Sequence, residues 1–273
     1  MANDEGTSPR NDVVSAVMRA CDLMSRFSPD QELWTLAELT KATGLNRTTA
    51  YRLVNTLVDA GWLVRIDETH FGVDWRVYRI GASAYSRNDL RGIVRPHLQR
   101  LADTFGDTAY FMIPDEQSVA CVDMVVGHSP LQIHGMQIGS RLPLNAAAAP
   151  LAMLARSPAL LEQAMASPLK SYTEQSITDS QTLKETVGAV RRDGYAVSRD
   201  DFLNGVSAVA VAVMLGEDLF GTVSLGGASV HFGYDDLQRR IGGVRVAAQE
   251  LSAQLETMPQ AHQLAPWITA ARS

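Results

Sequence analysis

The sequence predicts an α+β protein in two parts: an N-terminal winged helix–turn–helix, and a C-terminal antiparallel or mixed sheet with flanking helices. Three observations carry this. Apolar residues recur at helical spacing through Val14–Leu57, interrupted by a glycine turn. Beyond Ala109, strand-length apolar runs alternate with helical patterns. The 273 residues allow two domains at ~100–200 residues each. Hydrophobic residues make up 46% and charged residues 20%, enough apolar material for real cores.

Residues 1–11 read as a disordered tail. Val14, Val17, Cys21 and Met24, with Val13 and Ala20 beside them, predict an amphipathic helix that Ser28-Pro29-Asp30 ends. Thr35 is placed to cap a short helix containing Leu36 and Leu39. Gly44 breaks it, because a tight turn with positive φ suits glycine. Asn46 is an N-cap for the next helix, whose buried stripe is Ala50, Leu53, Val54 and Leu57 and whose opposite stripe is Thr48, Arg52, Asn55 and Asp59. Gly61 ends that helix. Trp62–Ile66 and Trp75–Ile80, β-branched and aromatic around a polar turn, predict a two-stranded hairpin, the wing. A linker helix is expected over 81–95, with a new helix starting at Pro96, which disfavours helix at Arg95.

In the second half, strands are expected at Ala109–Ile113, Val119–Val126 and Leu131–His134, then an alanine-rich helix over Ala146–Ala155. Thr178-Asp179-Ser180-Gln181 has the form of a capping box, opening a helix that stops at Gly194 behind Arg191 and Arg192. Three strands follow at Tyr195–Arg199, Val206–Met214 and Leu219–Leu225. Val206–Met214 has no polar face apart from Ser207 and is expected to be central, buried on both sides. The last helix carries Leu237, Ile241, Val244, Ala248, Leu251 and Leu255 on one face. The expected domains are 12–80, the linker 81–95, a second domain 96–258 and a tail 259–273.

The chain has a net charge of −6, which at first opposes nucleic-acid binding. The charge is uneven: residues 95–273 carry −5, whereas Lys41–Gly92 is +3. A basic island in an acidic protein can meet phosphate. Two cysteines 100 residues apart fit neither a disulfide framework nor a zinc ribbon and suit a reducing compartment. The N-terminus has no apolar core for a secretory signal, and no apolar run is long enough for a membrane helix, so a cytoplasmic protein with no membrane partner is expected. The six histidines show no i, i+4 pair, and GxGxxG, P-loop, GxSxG and HExxH motifs are all missing, so no metal, cofactor or catalytic residue is expected.

Helix–turn–helix chemistry needs a bracing helix, a glycine turn and a second helix with short polar and basic side chains near its start. Asn46, Arg47, Thr48, Thr49, Tyr51 and Arg52 crowd the first two turns of that second helix. Hydroxyls and free helix N–H groups bond phosphate; arginine matches guanine and asparagine matches adenine. Arg76 and Arg79, on the expected wing, are candidates for phosphate or the minor groove. From the residues alone, an enzymatic second domain or a protein-interaction adaptor stays open as an alternative.

Several stretches resemble one family in content and order: LAELTKATGLNRTTAYRLVNTLVDAGWLVR, VYRIG, VRPHLQRLADTFGDTAYF, GSRLPLNAAAAPLAMLA, RRDGYAVSRDDFLNGVSAVAVAV and GTVSLGG. Over about residues 12–256 the chain resembles an IclR-family transcriptional regulator. The resemblance implies a winged helix–turn–helix reading a double-stranded DNA operator, a dimerising linker helix, and a C-terminal GAF-like domain binding a small effector. It also implies a repressor or activator of a metabolic operon, working as a homodimer or dimer of dimers. Carried over by motif, the effector contacts are Leu131, His134, the amides of Ala148 and Ala149, Ser198, Val206, Ala208, Ser224 and Gly226. Amides at a helix start suit a carboxylate, so a small organic acid is the implied ligand. Ala208 and Gly226 are small, which favours an aromatic or branched acid over a very small oxoacid. The chain departs from the family where Asn145 and Pro150-Leu151 replace a histidine and a Gly-Lys pair near the expected pocket, and where Thr40 replaces an alanine. Asp200 and Asp201 read as a solvated turn.

Overall fold

The structure is a computed structural model that describes residues 13–87, 90–131, 135–265 and 267. The chain divides into two compact units between Ala84 and Tyr85.

The first unit opens with α1 (Ser15–Met24), β1 (Trp34–Thr35), α2 (Leu36–Thr43) and α3 (Arg47–Asp59). Local chemistry sets these elements. The Thr35 hydroxyl accepts from the Glu38 N–H while the Glu38 carboxylate accepts from the Thr35 N–H, a reciprocal cap on α2 that holds the Glu38 carboxyl below its usual range. Gly44 takes φ 67° at the end of α2, and the Asn46 side chain accepts from the Thr49 N–H to start α3. Leu23, Leu39, Val54, Leu63 and Phe71 form the core. In α1, the last turn supplies the buried residue, Leu23; Val14 and Val17 of the expected stripe are exposed.

The wing differs from expectation. β2 (Leu63–Arg65) pairs with β3 (His70–Val73), which also pairs with β1 in a three-stranded antiparallel sheet. The expected second strand, Trp75–Ile80, is instead the start of helix α4 (Trp75–Arg87). Asp74 explains it: its carboxylate accepts from the Arg76 N–H and its carbonyl from the Val77 N–H, a local start signal that overrides β-propensity. Trp75 and Tyr78 then stack at 4.5 Å, three residues apart on one helical face. Arg76 and Arg79 therefore sit on a helix, not on the wing.

The second unit begins with α5 (Leu90–Phe105). Pro96 lies inside α5, against the expectation that a helix starts there. Its ring and the Gly92 it fails to bond lie on the exposed side, where water can satisfy the carbonyl. Ile93, Val94, Leu98, Leu101 and Ala102 bury the other side, and that burial outweighs one lost hydrogen bond.

A six-stranded antiparallel sheet follows, built from β4 (Thr108–Asp115), β5 (Ser118–Val125), β6 (Arg141–Pro143), β7 (Ala196–Arg199), β8 (Val206–Leu215) and β9 (Asp218–Ala228), in the order β6-β5-β4-β9-β8-β7. β8 is buried along most of its length, as expected, but lies next to the edge strand β7 while β4 and β9 are central. Leu131 lies outside any strand, and the rest of the expected Leu131–His134 strand falls outside the described residues; the edge position belongs to β6. One face packs on α5 and α9 (Tyr234–Glu256) through Phe111, Val209, Phe220, Val223 and Leu225. The other packs on α6 (Ala148–Leu154), α7 (Pro158–Met165) and α8 (Ser180–Asp193). Asp179, not Thr178, caps α8, accepting from the Thr182 N–H. The expected tail beyond 258 is part of the core as far as Trp267: Ala261, Leu264 and Ala265 are buried, and the Trp267 indole N–H donates to the Phe220 carbonyl at 3.0 Å.

Candidate nucleic-acid interface and ligand cavity

The exposed face of α3 carries Arg47, Thr48, Tyr51 and Arg52 in its first turns, flanked by Asn46, with Thr49 half-buried behind them. Ala50 and Val54 anchor the opposite face in the core, so the helix presents polar groups without loss of packing. Asn46 is partly spent: its side-chain oxygen is the cap acceptor for Thr49 at 2.8 Å, which ties the side chain to the start of α3. Arg76 is likewise engaged. Its guanidinium donates to the Ala60 carbonyl at 2.6 Å, closing the C-terminal end of α3. Gly61 makes the approach possible, since a Cβ there would lie 2.7 Å from the Arg76 Cζ. Arg79 is exposed on the same helix.

Sequence reasoning passed over Arg65. On β2, its guanidinium lies 4.6 Å above the Phe71 ring and reaches the Asn55 side chain at 3.4 Å, which sets a wing cation beside α3. The wing tip is acidic. Asp67 accepts from the Thr69 and His70 N–H groups, and these bonds hold its carboxyl far below the usual range.

In the second unit, a cavity of about 280 Å³ opens on the α6 side of the sheet. Seven of the nine positions named above line it: Ala148, Ala149, Ser198, Val206, Ala208, Ser224 and Gly226. Leu131 does not, being 53% exposed in a loop; His134 lies outside the described residues. Residues that sequence reasoning missed complete the wall. Tyr110 and Met112 come from β4, Leu142 from β6, Gly135 and Met136 from the preceding loop, Ala147 from the start of α6, and Asp201, Phe202 and Leu203 from the loop after β7. The alternation of β4 gave a signal for Tyr110 and Met112, which share a face opposite Phe111. Burial pushes the Tyr110 phenol up to about 12.

Asp201 is no solvated turn. It is 7% exposed, and its carboxylate accepts from the Ala147 N–H at 3.1 Å. Ala147 takes φ 67° and ψ 160°, a conformation that favours glycine and costs a side-chain-bearing residue roughly 1–3 kcal/mol. The Asp201 bond holds that strained entry to α6. The loop of Asp200 and Asp201 is braced in turn: the Thr173 and Ser176 hydroxyls donate to the Asp200 and Asp201 carbonyls, each at 2.6 Å, and the Asp200 carboxylate accepts from Gly205 and Ser229. Asn145 is not on the cavity. Its amide donates to the Lys170 and Ile177 carbonyls at 2.8 Å each, clamping the loop that precedes α8. Arg191 donates to the Ala155 carbonyl at the end of α6, as a helix-end charge does. Among the described residues no cluster of His, Cys, Asp and Glu is placed to hold a metal ion.

The helix–turn–helix of one unit and the cavity-bearing sheet of the other are matched by two family models. "Bacterial transcriptional regulator IclR C-terminal" matches residues 82–253, and "IclR helix-turn-helix domain" matches 16–67. The chain belongs to the IclR family of transcriptional regulators. Among IclR-family relatives, the p-hydroxybenzoate hydroxylase transcriptional activator of Acinetobacter baylyi is 29% identical, over 76% of this chain and 79% of its own. A crystal structure of an IclR transcriptional regulator from Silicibacter sp. superposes with a TM-score of 0.79 at 23% identity, covering 89% of this chain and 97% of the other. An IclR homologue from Microbacterium hydrocarbonoxydans, crystallised with 4-hydroxybenzoate, gives a TM-score of 0.70 at 19% identity, covering 89% and 100%. No helix among the described residues is long and apolar enough to cross a membrane.

Proposed function

We propose that this IclR-family regulator senses a small organic acid, of aromatic or branched kind, and controls a metabolic operon in response. One observation carries this above others: the unit that does not hold α3 has an apolar cavity with a few hydroxyls, the form of a small-molecule site. The first-turn amides of Ala148 and Ala149, with Ser198 and Ser224, would take the acid's polar end, and Met112, Leu142, Phe202 and Ala208 its apolar body. Arg47, Thr48, Tyr51 and Arg52 would meet the major groove, with Thr49, Arg65 and Arg79 toward phosphate. Asn46 and Arg76 would hold α3 in place more than read bases. The cytoplasmic protein acts as a homodimer or dimer of dimers on a partly palindromic operator, and not as an enzyme. For the ligand to matter, it must bind one DNA-binding state better than the other.

The test is retardation of the DNA upstream of its own gene, with salt varied and with 4-hydroxybenzoate and branched-chain acids added. The expected result is a steep salt slope, about −0.9 per phosphate neutralised, and a shift in affinity with an acid. No retardation at low salt would remove the regulator reading. Calorimetric binding of glyoxylate or pyruvate with none of aromatic or branched acids would remove the pocket reading.

A further inference from the structure

A buried carboxylate in the wall of an apolar cavity constrains what enters. Asp201 is held by the Ala147 N–H at the start of α6, by Ser198 on β7 and by the N–H groups of its own loop. All of these donors are neutral. Across the cavity, β4 contributes the Tyr110 phenol, while β8 and β9 contribute Val206, Ala208, Ser224 and Gly226. The adjacent Asp200 carboxylate is turned to Gly205 and Ser229. Among the described lining residues no side chain carries a positive charge. Burial raises the Asp201 carboxyl above its ordinary value.

Asp201 lines this space of about 280 Å³ beside Ser198, Ala147 and Phe202, so an acid seated against that wall lies close to Asp201. Two carboxylates that near, in apolar surroundings and with no cationic side chain among the described lining residues, do not both stay ionised. We propose that an acidic ligand enters this cavity together with one proton, shared between its carboxylate and Asp201, so that Asp201 makes ligand binding proton-linked and sets the preference between acids and their neutral analogues. This rests on the reading of the cavity as a ligand site. The protonated pair replaces repulsion by one O–H···O⁻ hydrogen bond, and no bond other than O–H changes. Above the pH at which free Asp201 ionises, each unit of pH therefore weakens binding of the acid about tenfold. A neutral amide of the same shape shows no such slope.

The experiment is calorimetric titration of the full chain with 4-hydroxybenzoate and 4-hydroxybenzamide between pH 6 and 8.5, in two buffers of different ionisation enthalpy. The expected result is uptake of close to one proton per acid, none per amide, and a falling affinity for the acid alone. Asp201→Asn keeps an acceptor for the Ala147 N–H, and it should flatten the slope and bind the acid more tightly than the parent at pH 8. Acid binding without proton uptake overturns the proposal and leaves the ligand site standing. A slope that survives in Asp201→Asn also overturns it, because the proton then belongs to another group such as His134. Binding of neither probe, or of the amide alone, overturns the acid-site reading on which the proposal rests.

Discussion

The face of α3 and the cavity beside α6 are built in opposite ways. The α3 face comes from one continuous stretch, Asn46–Arg52, whose outward side chains are polar and exposed, and whose helix is set by the Asn46 cap at its start and by Arg76 at its end. The cavity draws on five strands, one helix start and two loops, and its space comes from what is small in that wall: Ala147, Ala148, Ala149, Ala208 and Gly226. The sheet's other face shows the contrast again, filled by Phe111, Phe220 and Leu225 where the cavity face leaves a void. A surface that meets a large polyanion is made by adding groups to a packed helix. A pocket for a small molecule is made by withholding them. The two sites therefore fail separately when altered.

Filling the void should give the largest effect. Ala208→Leu adds an isobutyl group to the cavity wall and should lower ligand affinity at least a hundredfold in calorimetry. Stability should change by about 1 kcal/mol or less in urea denaturation, because the group enters space that packing left open. A ligand that still binds would place its site elsewhere. On the other side of the comparison, Arg52→Ala should cost about 1–3 kcal/mol of operator affinity and relax base preference, with ligand binding and folding intact. Unchanged affinity in a mobility-shift assay would take Arg52 out of the interface.

Arg76 and Arg79 sharpen the distinction within one helix. Arg76→Ala removes the bond to the Ala60 carbonyl and should lower the stability of the first unit by about 1 kcal/mol, given its exposure. Arg79→Ala should leave stability alone and reduce the salt slope of DNA binding by about 1. The reverse pattern would restore Arg76 to phosphate contact. The smallest effect is expected at the wing tip. Asp67 has a lowered carboxyl pKa in the folded chain, so its contribution is present above its ordinary value of 3.8 and is lost as pH falls through the folded one. Asp67→Asn should lower the Tm of the first unit slightly at pH 7, with the difference closing in strong acid; a difference constant with pH would rule out the carboxylate as its source.

The same contrast explains what could be read from the residues. Thr35, Gly44 and Asn46 act within four residues of themselves, so α2, its turn and α3 were legible. The long stripe Leu237–Leu255 was legible for the same reason. Trp75–Ile80 was misread because its β-branched and aromatic residues were weighed without the cap that Asp74 supplies just before them. Pro96 was misread because the solvent on its side of α5, which makes the lost bond tolerable, is a tertiary fact. At the cavity, Ala148, Ala149, Ser198, Ser224 and their companions came from resemblance, motif by motif. Asp201 did not, because its burial depends on Ser176 and Ala147, 25 and 54 residues away. Asn145 stood out as a departure, but its partners Lys170 and Ile177 are equally remote, and they turn it from a ligand contact into a clamp.

The most direct test of the account joins the two sites in one titration. DNA from upstream of the gene is bound by the parent chain and by Ala208→Leu, each with and without the acid that calorimetry identifies. Both chains should retard DNA equally without ligand, and the parent alone should show a ligand-induced change in affinity. A ligand response that survives in Ala208→Leu, or DNA binding that is lost with it, would contradict the division of the molecule into a reader and a separate sensor.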